Sequence, residues 1–268
     1  MVNYNNTLVS VITPAYNSAA YIIEAMESVI SQTYLQWEMI IIDDCSTDNT
    51  VEVVRQYQNK NSKIRLIKLE VNQGVANARN VGIQNAFGRF IAFLDSDDVW
   101  HKEKLGYQIA FMSKKNIGFS FTAYRQFSGC VNNCGGLIKV PDIVDYTKLL
   151  HGNVIGCLTV VIDRQKVSFF YMRKEKHEDY IMWLSILKQG VKAYGLNEDL
   201  ARYRLLNTSL SSNKKKSAVW TWYIYRNIEG LSFLKSMDCF LYYSFKGLKD
   251  TSKLVPNLLW KKIKNINC

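Results

Sequence analysis

The chain is predicted to be an α/β protein: a mostly parallel sheet flanked by helices, with a C-terminal helical extension rich in basic and aromatic residues. Three observations point there. Near-continuous runs of Ile, Val and Leu recur through the first hundred residues, the pattern of strands buried on both faces. Helical stretches of roughly 10–15 residues separate them, as βαβ units require. Acidic clusters follow the runs, at the strand ends where such sheets bind ligands.

Taken in order, LVSVI (8–12) is a strand stopped by the turn TPAYN, and Ile22, Met26, Val29 and Ile30 carry a helix over about 18–31. EMIII (38–42) is a second strand, closed by DDCSTDN. A helix over about 50–58 follows, with Asp48 or Asn49 as its cap. IRLIKL (64–69) is a third strand, and GVANARNVGIQNAF (74–87) a helix with small residues for close packing. RFIAFL (89–94) is a fourth strand, ending in DSDD. Beyond it, a helix over roughly 101–115 and a strand over 117–125 precede a polar loop at 128–136. CLTVVID (157–163) reads as a buried strand, and HEDYIMWLSILKQG (177–190) as a buried helix stopped by Gly190.

With 268 residues, 48% hydrophobic and 21% charged, the chain can bury a sizeable core and is not disordered. Three prolines and 14 glycines exclude collagen and linker repeats. Six cysteines are too few for a disulfide scaffold. Cys130 and Cys134 lack the further ligands of a zinc site, and His101, His151 and His177 share no ligand spacing. Neither a signal peptide nor an apolar span of membrane length is found, so the expected location is cytoplasmic.

The net charge of +11 is uneven: −4 over residues 1–100, +7 over 101–212 and +8 over 213–268. The last segment mixes its lysines with Trp220, Trp222, Tyr223, Tyr225, Phe233, Phe240, Tyr242, Tyr243, Phe245 and Trp260. Such a mixture suits the headgroup layer of an anionic membrane. Core packing with a solvated basic face, and nucleic-acid binding, are the alternatives.

Four sets of residues can carry chemistry. Asp43 and Asp44 close a buried strand and can accept hydrogen bonds from a base or ribose, or serve as turn and cap residues. Asp95, Asp97 and Asp98 crowd three like charges after another strand, which a hard divalent cation relieves, unless they form a solvated acidic turn. Arg79 can grip a phosphate or lie on the surface. Glu178 and Asp179 open an apolar helix, where a carboxylate caps the dipole or acts as a general base.

VSVITPAYN, SVISQTYLQWEMIIIDDCSTDNT, NQGVANARNVGIQNAFGRFIAFLDSDDVW and HEDYIMW, in that order, closely resemble the family 2 glycosyltransferases of GT-A fold. The match covers roughly residues 7–205. The resemblance implies an inverting transferase moving a sugar from a nucleotide diphosphate, usually UDP, to an acceptor hydroxyl. By it, Pro14, Ala15 and Tyr16 line the nucleotide base, Asp44 binds uracil with support from Asp43, and Arg79 contacts the nucleotide. Asp95 and Asp97 match the DXD motif: Asp97 ligates Mn²⁺ or Mg²⁺, and Asp95 contacts the ribose or the metal's water. Asp179 matches the catalytic base, with Glu178 orienting base or acceptor, and YRLLNTSLS (203–211) matches the segment closing over the diphosphate.

Residues 1–212 are then the transferase domain, with 1–100 its nucleotide-sugar half and 101–212 its acceptor half, and 213–268 a membrane-associating extension. HGNVIGCLTVVIDR and HEDYIMWLSILK look most like bacterial enzymes that build O-antigen or capsule repeat units. That subgroup adds glucose or galactose, commonly β1,3, to a sugar such as GlcNAc on a polyprenyl diphosphate. The expected partners are a nucleotide sugar, that lipid-linked acceptor and the inner face of the cell membrane, and not nucleic acid. The rivals are a UDP-N-acetylhexosamine donor or teichoic-acid-type acceptor on the same scaffold, and a catalytically silent basic scaffold.

Overall fold

The computed structural model describes residues 7–206 and 214–245. The chain runs β1 (Val9–Ala15), α1 (Ile22–Ile30), β2 (Trp37–Asp43), α2 (Thr50–Lys60), β3 (Ile64–Lys68), α3 (Val75–Gln84) and β4 (Phe90–Phe93). It continues as β5 (Val99–Trp100), α4 (Lys104–Lys115), β6 (Phe119–Phe127), β7 (Cys134–Ile138), β8 (Ile143–Val144), α5 (Tyr146–Leu150) and β9 (Val161–Asp163). Then come α6 (Glu178–Lys188), β10 (Ala193–Arg204), α7 (Lys214–Tyr223), a π turn (Ile224–Ile228) and a helix over 233–245, here α8.

One sheet runs β3-β2-β1-β4-β9-β6-β10-β5, with β7 beside β6 and β8 beside β10. The first four are mutually parallel. β9 lies antiparallel between β4 and β6, and β10 is parallel to β6. The strands β1, β2, β3, β4, β6 and β10 therefore point one way, as the expected fold class requires. From β1 the chain builds outward to β2 and β3, then returns to place β4 on the other side. That reversal opens a crevice beyond the carboxyl ends of β1 and β4.

Alternation along β1 explains both cores. Val9 and Val11 pack with Met26 and Val29 of α1 and Ile109 and Met112 of α4. Ile12 faces the other way, in a core with Phe93 and Trp183. The Trp183 indole of α6 packs edge-on against Phe93 at 6.0 Å and tilted against Phe119 at 5.3 Å, seating α6 against β4 and β6. The small residues expected to bring α3 close do so at Gly82. A Cβ there would meet Ile12 Cγ2 at 2.4 Å and Ile42 Cδ1 at 2.8 Å. Gly82→Ala is therefore expected to lower stability by about 1–3 kcal/mol in urea denaturation, the usual cost of overpacking.

Besides β5, β8 and α5, which the sequence reading did not include, three segments depart from it. The polar loop at 128–136 gives way at Cys134 to β7, an edge hairpin strand. Cys157–Thr159 is a 3₁₀ turn, so the apolar run at 157–163 is a strand only from Val161. The 12-residue β10 went unrecognised, because register shifts between Leu196, Asp199 and Arg202 break its alternation.

The described part of the extension divides its aromatic residues. Tyr225 is fully buried in the core that holds Trp183, and its hydroxyl donates to the Leu150 carbonyl. Phe240 and Tyr243 are half-buried, whereas Phe233, Tyr242 and Phe245 face solvent. Core packing and an exposed aromatic face thus coexist. Trp260, with residues 246–268, lies outside the described residues.

Candidate active site

The crevice is lined by three loops tied to one another. Asn17, after β1, takes left-handed backbone (φ 48°) and accepts the Thr47 amide at 2.8 Å, while its own amide donates to Ser46 Oγ at 2.9 Å. Ser18 donates its amide to Thr50 Oγ1 at 2.7 Å and shares a hydroxyl–hydroxyl bond of 2.8 Å with Ser96. The β1–α1 loop is thereby fixed both to the start of α2 and to the acidic turn after β4. The cap position of α2 is Asn49, whose side chain makes no capping bond; Asp48 before it accepts the Thr50 amide on Oδ1 at 3.0 Å.

Pro14 and Ala15 end β1, and Tyr16 projects from it half-exposed, free to face a flat ring. Asp44 is almost fully buried and grips the loop before α3, accepting the Gln73 and Gly74 amides at 2.8 Å each. Gly74 meets that carboxylate at φ 89°, a conformation open to glycine. Asp43 is fully buried, with Oδ2 on the Ser46 amide at 3.2 Å and Oδ1 without a partner among the described residues. Both aspartates therefore hold the loops that frame the crevice.

Arg79 joins the two halves of the site. It is buried, not a surface arginine, and its guanidinium bonds Asp95 through one prong and Glu178 Oε1 at 2.9 Å through the other. Segments 16 and 99 residues away meet on that one side chain. Neighbouring Asn80 fastens the approach to α6, exchanging hydrogen bonds with the Met172 backbone at 2.7 and 2.8 Å.

The three carboxylates of DSDD separate by role. Asp98 turns inward and accepts the Arg204 amide at 2.8 Å; burial, then Asp95 and Asp97, push its carboxyl well above the usual range. Asp95 is taken by Arg79. Asp97 remains half-buried, its carboxyl pushed up to about 6 by burial and by the Asp95 charge. Paired hard oxygen donors held at such a cost are chemically suited to Mn²⁺ or Mg²⁺. Asp95 and Asp97 are the residues that would hold the ion.

Asp179 stands in the first turn of α6, half-buried. Its Oδ1 accepts the Tyr180 amide at 2.7 Å, and among the described residues Oδ2 has only Asn153 Nδ2, at 3.5 Å. Burial, followed by the adjacent Glu178 charge, raises its carboxyl to about 6. Of the two adjacent acids, Glu178 pairs with Arg79, and Asp179 has no ion-pair partner among the described residues.

Arg204 is a residue whose role the sequence did not reveal. It stacks on Phe127 and Tyr21, lies 3.0 Å from Glu24, and donates Nε to the Asp97 carbonyl at 2.7 Å. The end of β10 thus holds the acidic turn in place. Residues 207–211 of the segment expected to close over the diphosphate lie outside the described residues. No disulfide joins the described cysteines, and among the described residues Cys130 and Cys134 assemble no metal set. Only the fold brings His151 near Asp238 and Cys239, its ring stacked on Tyr242 at 4.3 Å.

A profile described as "Glycosyl transferase family 2" matches residues 10–181. A protein of Bacillus subtilis (strain 168), TuaG, provisionally named a teichuronic acid biosynthesis glycosyltransferase, is 46% identical over 90% of this chain and 96% of its own. The UDP-Glc:α-D-GlcNAc-diphosphoundecaprenol β-1,3-glucosyltransferase WfgD of Escherichia coli is 42% identical over 80% of this chain and 84% of its own. Among solved structures, S. aureus TarS 1-349 in complex with UDP superposes with a TM-score of 0.66 at 22% identity, over 88% of this chain and 70% of that one. A mannosyltransferase of Pyrobaculum calidifontis, PcManGT, in complex with GDP-Man and Mn²⁺, does so with 0.66 at 15%, over 88% and 69%.

Proposed function

Because the chain belongs to glycosyltransferase family 2, with the GT-A fold, we propose that it transfers glucose or galactose from UDP to a sugar, GlcNAc, held on a polyprenyl diphosphate. The linkage is β1,3 and the product a repeat unit of a surface polysaccharide. The 42% likeness to WfgD, whose name carries UDP-glucose as donor and a GlcNAc-diphosphoundecaprenol as acceptor, supports this choice. The observation that carries the chemistry is the bridge made by Arg79, which joins the acidic turn of the nucleotide half to the helix bearing the base.

The UDP moiety lies in the crevice, its base against Tyr16 within loops framed by Asp43 and Asp44. Asp97 and Asp95 would hold Mn²⁺ or Mg²⁺, which would supply the positive charge that a departing diphosphate needs. Asp179 takes the proton of the acceptor hydroxyl as that oxygen attacks the anomeric carbon opposite UDP, so one C–O bond forms, one breaks, and configuration inverts. Arg79 pairs with Glu178 and keeps it off the base, leaving Asp179 Oδ2 for the acceptor. Holding both substrates in line removes much of the entropic barrier to their encounter.

The 46% likeness to TuaG, a protein provisionally named for teichuronic acid biosynthesis, favours a second reading, in which the same chemistry serves the assembly of a teichuronic acid. Among the described residues no helix is long and apolar enough to cross a membrane, and a peripheral place on the inner leaflet fits a lipid-linked acceptor. Calorimetry tests the donor half. UDP is expected to bind more tightly with Mn²⁺ than without, and Asp97→Ala to abolish that gain. Equal affinity with and without metal would overturn the assignment of Asp97.

A further inference from the structure

Helix α8 has two unlike faces. Ser236 and Cys239 are fully buried against the body of the protein, with Phe240 and Tyr243 half-buried beside them. On the opposite side Leu234 (81% exposed), Met237, Leu241 and Phe245 form an apolar stripe at helical spacing. Asp238 lies at the edge of that side, its carboxylate near His151 and Cys239 and 3.4 Å from Lys235 Nζ. Contiguous large apolar side chains facing water mark a surface that binds something. The chain running on from α8, residues 246–268, has six lysines and a single aspartate.

We infer that the outward face of α8 docks on an anionic lipid bilayer, its apolar stripe at the headgroup–acyl boundary and Lys235 beside it within reach of lipid phosphates. The net +8 of residues 213–268 selects an acidic surface over an uncharged protein groove. The helix also sits beside the base. His151 stacks on Tyr242, a Cβ on Gly152 would touch the Tyr243 ring at 3.6 Å, and the next residue, Asn153, reaches Asp179 at 3.5 Å. A docked α8 therefore lies one short turn of chain from the carboxylate that meets the acceptor. The inference rests on the lipid-linked acceptor proposed above and adds the face on which the membrane sits.

The test is flotation of the full chain with phosphatidylglycerol–phosphatidylcholine vesicles, comparing the parent with Leu234→Ser/Leu241→Ser. Both leucines are exposed, so the fold is expected to survive, which circular dichroism checks. The double variant is expected to lose about tenfold or more in vesicle partitioning. Its rate on a short-chain, water-soluble acceptor should match the parent's. Flotation equal to the parent's would overturn the inference. So would a dimer, seen by sedimentation velocity in the parent and lost in the variant, which assigns the face to a second copy. Absence of transfer by both proteins to any soluble acceptor would instead count against the glycosyl-transfer reading and leave the vesicle result standing.

Discussion

Asp179→Asn is expected to lower kcat by about 10²–10⁴-fold, the usual worth of a positioned base, while UDP affinity stays within a few-fold. Asparagine keeps the volume and can still accept the Tyr180 amide, so α6 stays in place and only the proton acceptor is lost. In the parent, burial and Glu178 hold Asp179 at about 6. Its carboxyl is protonated below that pH, so kcat/KM should fall about tenfold per unit as pH drops through 6 and level off above it. At saturating Mn²⁺, which would hold Asp97 ionised, the residual activity of Asp179→Asn should lack that limb. Stability moves oppositely. A carboxyl raised by folding stabilises the folded state below its unfolded pKa, and that contribution is lost as pH rises through the folded value. The metal-free protein should therefore lose stability through Asp97 and Asp179 over the pH range in which activity appears. Loss of UDP binding in Asp179→Asn, or an unchanged acid limb, would remove Asp179 from the role of base.

Arg79→Ala is expected to cost about 3–5 kcal/mol of stability in chemical denaturation and to reduce transfer below detection. The guanidinium is buried between two carboxylates, and its removal leaves Asp95 and Glu178 facing each other without a cation. Freed of Arg79, Glu178 also loses the contact that separates it from Asp179. Arg79→Lys keeps the charge but has one point of attachment where the guanidinium has two. It should recover most of the stability and little of the activity, because a single ammonium cannot hold Asp95 and Glu178 in their separate places. Full activity in Arg79→Ala, measured as product formed from UDP-hexose, would show that the bridge is incidental.

The nucleotide half of the fold was readable because physics marks it locally. Uninterrupted Ile and Val runs have to be buried on both faces, and DSDD interrupts one of them with more charge than an ordinary turn carries. What stayed hidden depends on partners far along the chain. Arg79 looks like a surface arginine until Asp95 and Glu178 close on it, and nothing in the Tyr203–Leu205 neighbourhood shows that Arg204 will hold the acidic turn. β10 escaped because its register shifts place charged residues where alternation would put apolar ones. The aromatic tail was ambiguous for a different reason. Spacing alone does not separate Tyr225, which completes the core, from Phe245, which faces solvent, until α6 and α8 have been docked.

The central claim is a single displacement assisted by Asp179, and the configuration of the product tests it most directly. The full chain, supplied with Mn²⁺, UDP-glucose and a GlcNAc-diphosphate lipid, should form a β-linked disaccharide from the α-linked donor, read from the coupling constant of the new anomeric proton. An α-linked product would contradict the in-line mechanism built on Asp179. No product from either UDP-glucose or UDP-galactose would contradict the proposed donor.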